Sequence, residues 1–218
     1  MEPTKPVNDD EGRSRIPSSP EHELLSTAKW VNGAESPFGV DILDCRPVVL
    51  GLASFTADPA IASRFTELRS SLGAEFRGKR PKDARSVRCN LNYPRQSRFK
   101  EGPLSKAQVM EDRWDIYMYD GCLYFARSWS GDLIFLATIS FGEQLAHIDE
   151  IETASSDEDE FVIRQVDFLI QNHIFGLEMP HPLPSGLGRD PQRLAVYSFQ
   201  LYGRRGFWGA MSDAFHER

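Results

Sequence analysis

Residues 114–151 read WDIYMYDGCLYFARSWSGDLIFLATISFGEQLAHIDEI, and the alternation inside this block decides the fold. Trp114, Ile116 and Met118 alternate with Asp115, Tyr117 and Tyr119, the two-residue period of a strand. Asp120-Gly121 follows, a pair that tolerates positive φ at both centres of a tight hairpin turn. Cys122–Trp129 is the returning strand, Ser130-Gly131-Asp132 turns again, Leu133–Phe141 is a third strand and Leu145–Ile151 a fourth. Strands joined by such short loops are antiparallel, so the block is a meander.

Upstream, Val87, Cys89, Leu91 and Tyr93 alternate with Arg88, Asn90 and Asn92, which predicts a further half-buried strand over 85–93. Basic loops flank it, and Ser105–Asp112 reads as a short helix. Asp58 and Pro59 are a helix cap and first-turn proline. Ile61, Phe65, Leu68 and Leu72 then recur at helical spacing, and Gly73 ends the segment. Val40–Arg46 and Val48–Leu52 read as two extended pieces interrupted by Pro47. Downstream, Asp157-Glu158-Asp159-Glu160 opens a helix whose inner face is Phe161, Val162, Val166, Leu169, Ile170 and His173, stopped by Gly176. A proline-rich connector leads to a last helix, capped by Asp190 and stopped by Gly203. Helices clustered at the ends of a run of strands predict an α+β fold. It is an antiparallel β-meander sheet of about five or six strands with two or three helices packed on one face. Residues 1–22, rich in proline and charge, are expected to be a disordered tail, and 23–218 a single α+β domain.

The bulk numbers bound the class. The chain has 218 residues, 40% of them hydrophobic, enough for one sizeable core. It holds no apolar run long enough to cross a membrane, and its start lacks the apolar region of a signal peptide. Cys45, Cys89 and Cys122 lie far apart and are odd in number, so reduced thiols and a cytoplasmic location are expected. The net charge of −7 is uneven. Between Arg77 and Lys100 nine basic residues meet one acid, Asp83, so that segment carries +8 and the remainder −15.

Three stretches carry a family likeness: Ser36-Pro37-Phe38-Gly39-Val40-Asp41-Ile42-Leu43-Asp44-Cys45-Arg46-Pro47, then Thr56-Ala57-Asp58-Pro59, then Tyr124-Phe125-Ala126-Arg127-Ser128-Trp129. In this order they resemble an uncharacterised bacterial protein family with a Pro-aromatic-Gly-Val…Leu-Asp-x-Arg-Pro segment and an Arg-Ser-Trp hairpin. The resemblance spans residues 34–203 and implies a bacterial, cytosolic protein. It brings no activity, cofactor or catalytic residue with it.

Among candidate sites the hairpin ranks first. Period two places Arg127 and Trp129 on one strand face, where guanidinium and indole can grip a flat anion, with Arg113 beside them. The plainer reading is that Trp129 covers the sheet end while Arg127 pairs with Asp132 or Asp115. The basic segment 77–100 could hold phosphates through Arg80, Arg88 and Arg98, with Tyr93 and Phe99 to stack bases. It contains no nucleic-acid motif, and a solvated basic face is the commoner outcome. Ser128-Trp129-Ser130-Gly131 resembles a nucleophile elbow but lacks the first glycine and the following helix. The cysteines read as buried small hydrophobes. His173 and His181 lack metal-ligand spacing, and His173 reads as a hydrogen-bonded core histidine. No catalytic residue, metal or cofactor is therefore expected. The leading expectation is a non-enzymatic binding or regulatory protein, immunity- or antitoxin-like, meeting a basic protein partner. The alternatives are a small-molecule or nucleotide-handling enzyme at Arg113, Arg127 and Trp129, and nucleic-acid binding.

Overall fold

The computed structural model describes residues 20–94 and 99–211. In chain order the elements are α1 (Pro20–Leu25), β1 (Lys29–Val31), β2 (Ile42–Asp44), α2 (Arg46–Gly51), α3 (Pro59–Ser70), β3 (Arg85–Pro94), β4 (Gly102–Ser105), β5 (Trp114–Tyr119), β6 (Cys122–Arg127), β7 (Leu133–Phe141), β8 (Leu145–Thr153), α4 (Asp159–Leu169), β9 (His181–Leu183), α5 (Pro191–Tyr202) and β10 (Trp208–Met211). The fold is α+β. Its larger sheet has six antiparallel strands in the order β3-β8-β7-β6-β5-β4, and a smaller mixed sheet runs β1-β2-β10-β9. Among the described residues no helix is long and apolar enough to cross a membrane.

The meander is as the alternation predicts. At the β5–β6 turn Asp120 and Gly121 take φ of 51° and 73°, the conformation that favours this pair. β6 is shorter than expected: it ends at Arg127, and Ser128–Ser130 form a turn closed by the Gly131 N–H donating to the Arg127 carbonyl. One face of the sheet carries Trp114, Ile116, Leu123, Phe125 and Phe135 into a core completed by Val162, Val166 and Phe168 of α4 and Tyr202 of α5. α5 also reaches the second core, where Leu194, Ala195 and Phe199 meet Val48 and Val49 of α2 and Leu43 of β2. One helix thereby serves both sheets.

The other face of the large sheet, which carries Tyr117 and Tyr119, is covered as well. Tyr117 is 0% exposed and Tyr119 9%. A 3-10 turn, Ala74–Phe76, lays Phe76 against Tyr117 with ring centroids 5.4 Å apart. The turn comes this close because Gly73, at φ +83°, has no side chain; a Cβ there would sit 2.1 Å from the Tyr117 ring. Lys106 seals the edge, donating to Asp115 and to the Tyr117 hydroxyl at 2.8 and 2.6 Å.

Other expectations need correction. Val48–Gly51 are helical rather than extended, with only Leu52 beyond them extended: Pro47 sits in the first turn of α2, where its missing N–H costs nothing, and Val48 and Val49 are fully buried. No helix forms over 105–112. Gly102–Ser105 instead adds an edge strand to β5, a position where Pro103 is tolerated. The proline connector contains β9, parallel to β10, with Pro182 again at a sheet edge. α3 buries Phe65 and Leu68 but leaves Ile61 exposed, and it ends at Ser70, short of the exposed Leu72. Of the expected tail, Pro20–His22 belong to α1, and residues 1–19 lie outside the described residues.

Candidate functional site

The hairpin residues come together around the C-terminal end of α5. Arg113 Nε donates to the Phe199 carbonyl at 3.2 Å, Arg127 Nη2 to that of Gln200 at 2.9 Å and Arg127 Nη1 to that of Leu201 at 2.9 Å. Trp114 Nε1 adds a bond to Leu201 at 2.7 Å. The Phe199 carbonyl also takes the Gly203 N–H of the helix cap, so the carbonyls at the negative end of the dipole are met by that cap and by two guanidinium groups. Each guanidinium also lies over an indole, Arg127 over Trp114 and Arg113 over Trp129, both at 4.8 Å. Trp129 is anchored in turn, its Nε1 donating to the Met110 carbonyl at 2.6 Å. Burial, then the neighbouring Arg113 charge, brings the Arg127 guanidinium down to about 10. Asp115, a candidate partner for Arg127, is instead held by Lys106.

The basic segment folds back on the protein's own acids. Arg77 pairs with Asp120, Arg80 with Glu152 at 3.1 Å, and Arg85 with Asp159 of the acidic run. Arg88 stands opposite Glu150 in the β3–β8 register. Arg95 and Arg98 lie outside the described residues. The thiols are quiet: burial pushes Cys45 up to about 12 and Cys89 up to about 11, and raises Cys122. His173 and His181 both pack edge-on against Phe168, at 6.2 and 5.7 Å, and burial holds His181 down at about 4. His173 Nδ1 is buried without a hydrogen-bond partner, unlike the satisfied core histidine expected.

A different place offers space. Between α4, the loop before β2 and the chain after α4 lies a cleft of about 540 Å³. Its apolar walls are Phe38, Val40, Leu91, Ile163, Leu177 and Met179. Beside the cleft α4 does not stop at Leu169. Ile170–Ile174 form a π turn, closed by the Phe175 N–H donating to the Ile170 carbonyl, and the chain then leaves at Gly176 with φ +70°. Single π turns inside helices recur at functional sites. Here the turn sets Gln171 beside Asp167, and both line the cleft.

Asp167 lies half-buried in this wall, with Arg164 and Gln171 of the same helix end also lining the cleft. Burial raises its carboxyl above the ordinary range, partly offset by hydrogen bonds from Tyr93 and Gln171. Both bonds arrive at Oδ1, from the Tyr93 hydroxyl at 2.8 Å and from Gln171 Nε2 at 3.5 Å. Phe38, from the motif segment 36–47, closes the rim. It packs edge-on against Trp208 at 5.9 Å, while Arg46 lies 3.9 Å above that indole and grips Asp44 through two bonds. The motif therefore ties one cleft wall to the small sheet.

Sequence reasoning passed over Asp167. The signal was present: one acid four residues after Ile163 and four before Gln171, inside the apolar run Val166–Ile170. What hid it is that Leu91, Phe38 and Met179 come from distant parts of the chain. Comparison of the chain with protein-family models, curated proteins and solved structures returned no match.

Proposed function

We propose that this is a non-enzymatic binding or regulatory protein and that the α4 cleft is its recognition site. The observation that carries the reading is the cleft itself: concave, walled largely by apolar side chains, with a half-buried carboxyl oriented by the Tyr93 hydroxyl. A few placed polar groups within an apolar concavity are the usual form of a ligand site. Its volume of about 540 Å³ falls within the range such sites occupy. In its fullest form the proposal is a bacterial, cytosolic regulator, immunity- or antitoxin-like, whose acidic surface steers a basic partner.

The alternatives receive less support. An enzyme built on Arg113, Arg127 and Trp129 would need donors that are already given to the α5 carbonyls and to Met110. A nucleic-acid groove would need Arg80 and Arg88 on a face unmatched by acids, whereas Glu152 and Glu150 stand against them.

A fragment screen read by amide chemical shifts tests the assignment. The expected outcome is perturbations gathered on Val40, Leu91, Ile163, Gln171 and Met179. Perturbations centred on Arg113 and Trp129 would return the enzyme alternative to first place.

A further inference from the structure

We propose that the α4 cleft selects a small apolar amine: a ligand with a hydrocarbon body and an ammonium head that pairs with Asp167. The inference rests on the cleft being the recognition site and adds the chemical class of its ligand.

Four observations lead to it. Oδ1 of Asp167 already receives both the Tyr93 hydroxyl and the Gln171 amide, which turn the carboxyl and hold it. Oδ2 receives no donor among the described residues, and no described cation pairs with Asp167. The basic neighbour one turn earlier, Arg164, is committed to Glu160 and is only 14% exposed. A second acid, Glu178, lines the same cleft, and the cation there, Arg164, is already paired with Glu160, so an entering carboxylate would meet two acids and a cation that is already taken.

The chemistry follows from what the site lacks and what it holds ready. A desolvated carboxyl with donors on one oxygen and no cation is raised by its burial, and an ammonium group restores the lost solvation through a charge-assisted bond. The walls from Ile163, Leu91, Phe38, Val40 and Met179 offer only hydrocarbon and thioether surface, which matches a hydrocarbon body. An alcohol of the same length would bury the same apolar surface but could give Oδ2 only a neutral hydrogen bond, about half as strong as a charge-assisted one.

The test uses the full chain and three probes of equal length: n-octylamine, 1-octanol and octanoate, each titrated while the amide shifts of Ile163 and Gln171 are followed. The expected result is tightest binding by octylamine, with octanol weaker by roughly tenfold and octanoate weaker still. Asp167→Asn, which keeps the shape and the Tyr93 bond, is expected to bring octylamine to the octanol level. Octanol or octanoate binding as tightly as octylamine to the unaltered protein would overturn the amine assignment while leaving the cleft as the site. If none of the three moves the cleft resonances, both the ligand class and the cleft reading fail. The unaltered protein alone decides between these outcomes, whatever the variant's folding.

Discussion

His181 sits at 0% exposure, 4.3 Å from the Tyr202 ring and beside Phe168, with Nε2 buried and unpartnered. A neutral imidazole tolerates this aromatic box; an imidazolium does not, because burial penalises the charged form. Its folded value near 4 against 6.5 in the open chain means that the unfolded state binds the proton first as pH falls. The stability from keeping His181 neutral is therefore complete above about pH 6.5 and is lost as pH falls toward 4. Its span is about 3 kcal/mol from 1.36 kcal/mol per unit. His173, lowered by the same burial, adds in the same direction. Urea midpoints at pH 7 and pH 4.5 check this: the midpoint should fall on acidification, and His181→Phe, which suits the aromatic box, should fall less. Equal slopes in both proteins would sink the assignment to His181. The sequence marked His173 as a core residue because it lies on the apolar face of a helix. It hid His181, which follows a glycine and a proline in what reads as loop.

At the scale of elements, local signals were legible and distant ones were not. The Asp120-Gly121 turn, the Asp58 and Asp190 caps and the Gly203 stop all depend on residues within a few positions of each other, and the structure has each of them. The small sheet escaped because its strands are three or four residues long, too short for any periodicity, and the β2–β10 pairing at its centre joins residues more than 100 positions apart. Val48–Leu52 shows the ambiguity of a short apolar run, which reads equally as a buried strand or a buried helix. Arg127 stacks on Trp114 and Trp129 on Arg113, and the partner of Arg127 is the backbone of α5, some 70 residues later; main-chain carbonyls leave no mark in a sequence. This clamp predicts that Arg127→Gln lowers stability by about 2 kcal/mol, the value of charged hydrogen bonds to carbonyls plus the helix-end interaction. Arg127→Lys should recover part of it, since one ammonium cannot fork to two carbonyls in the same geometry. Chemical denaturation of the three proteins checks the order; a fully stable Arg127→Gln would show that α5 does not need the clamp.

Across the whole molecule, two sheets share α5, and a net charge of −7 is arranged so that part of the basic segment neutralises part of the acidic surface. Exposed ion pairs of this kind add little stability each. What remains distinctive is a cleft assembled from the motif segment, the middle of β3 and the end of α4 where it passes into its π turn, with Asp167 in its wall. Calorimetric titration of n-octylamine into the unaltered protein and into Ile163→Trp, whose larger side chain fills the cleft, tests that centre most directly. The account predicts a saturable heat in the first and none in the second. An undiminished heat in Ile163→Trp would contradict it by placing the binding elsewhere on the molecule.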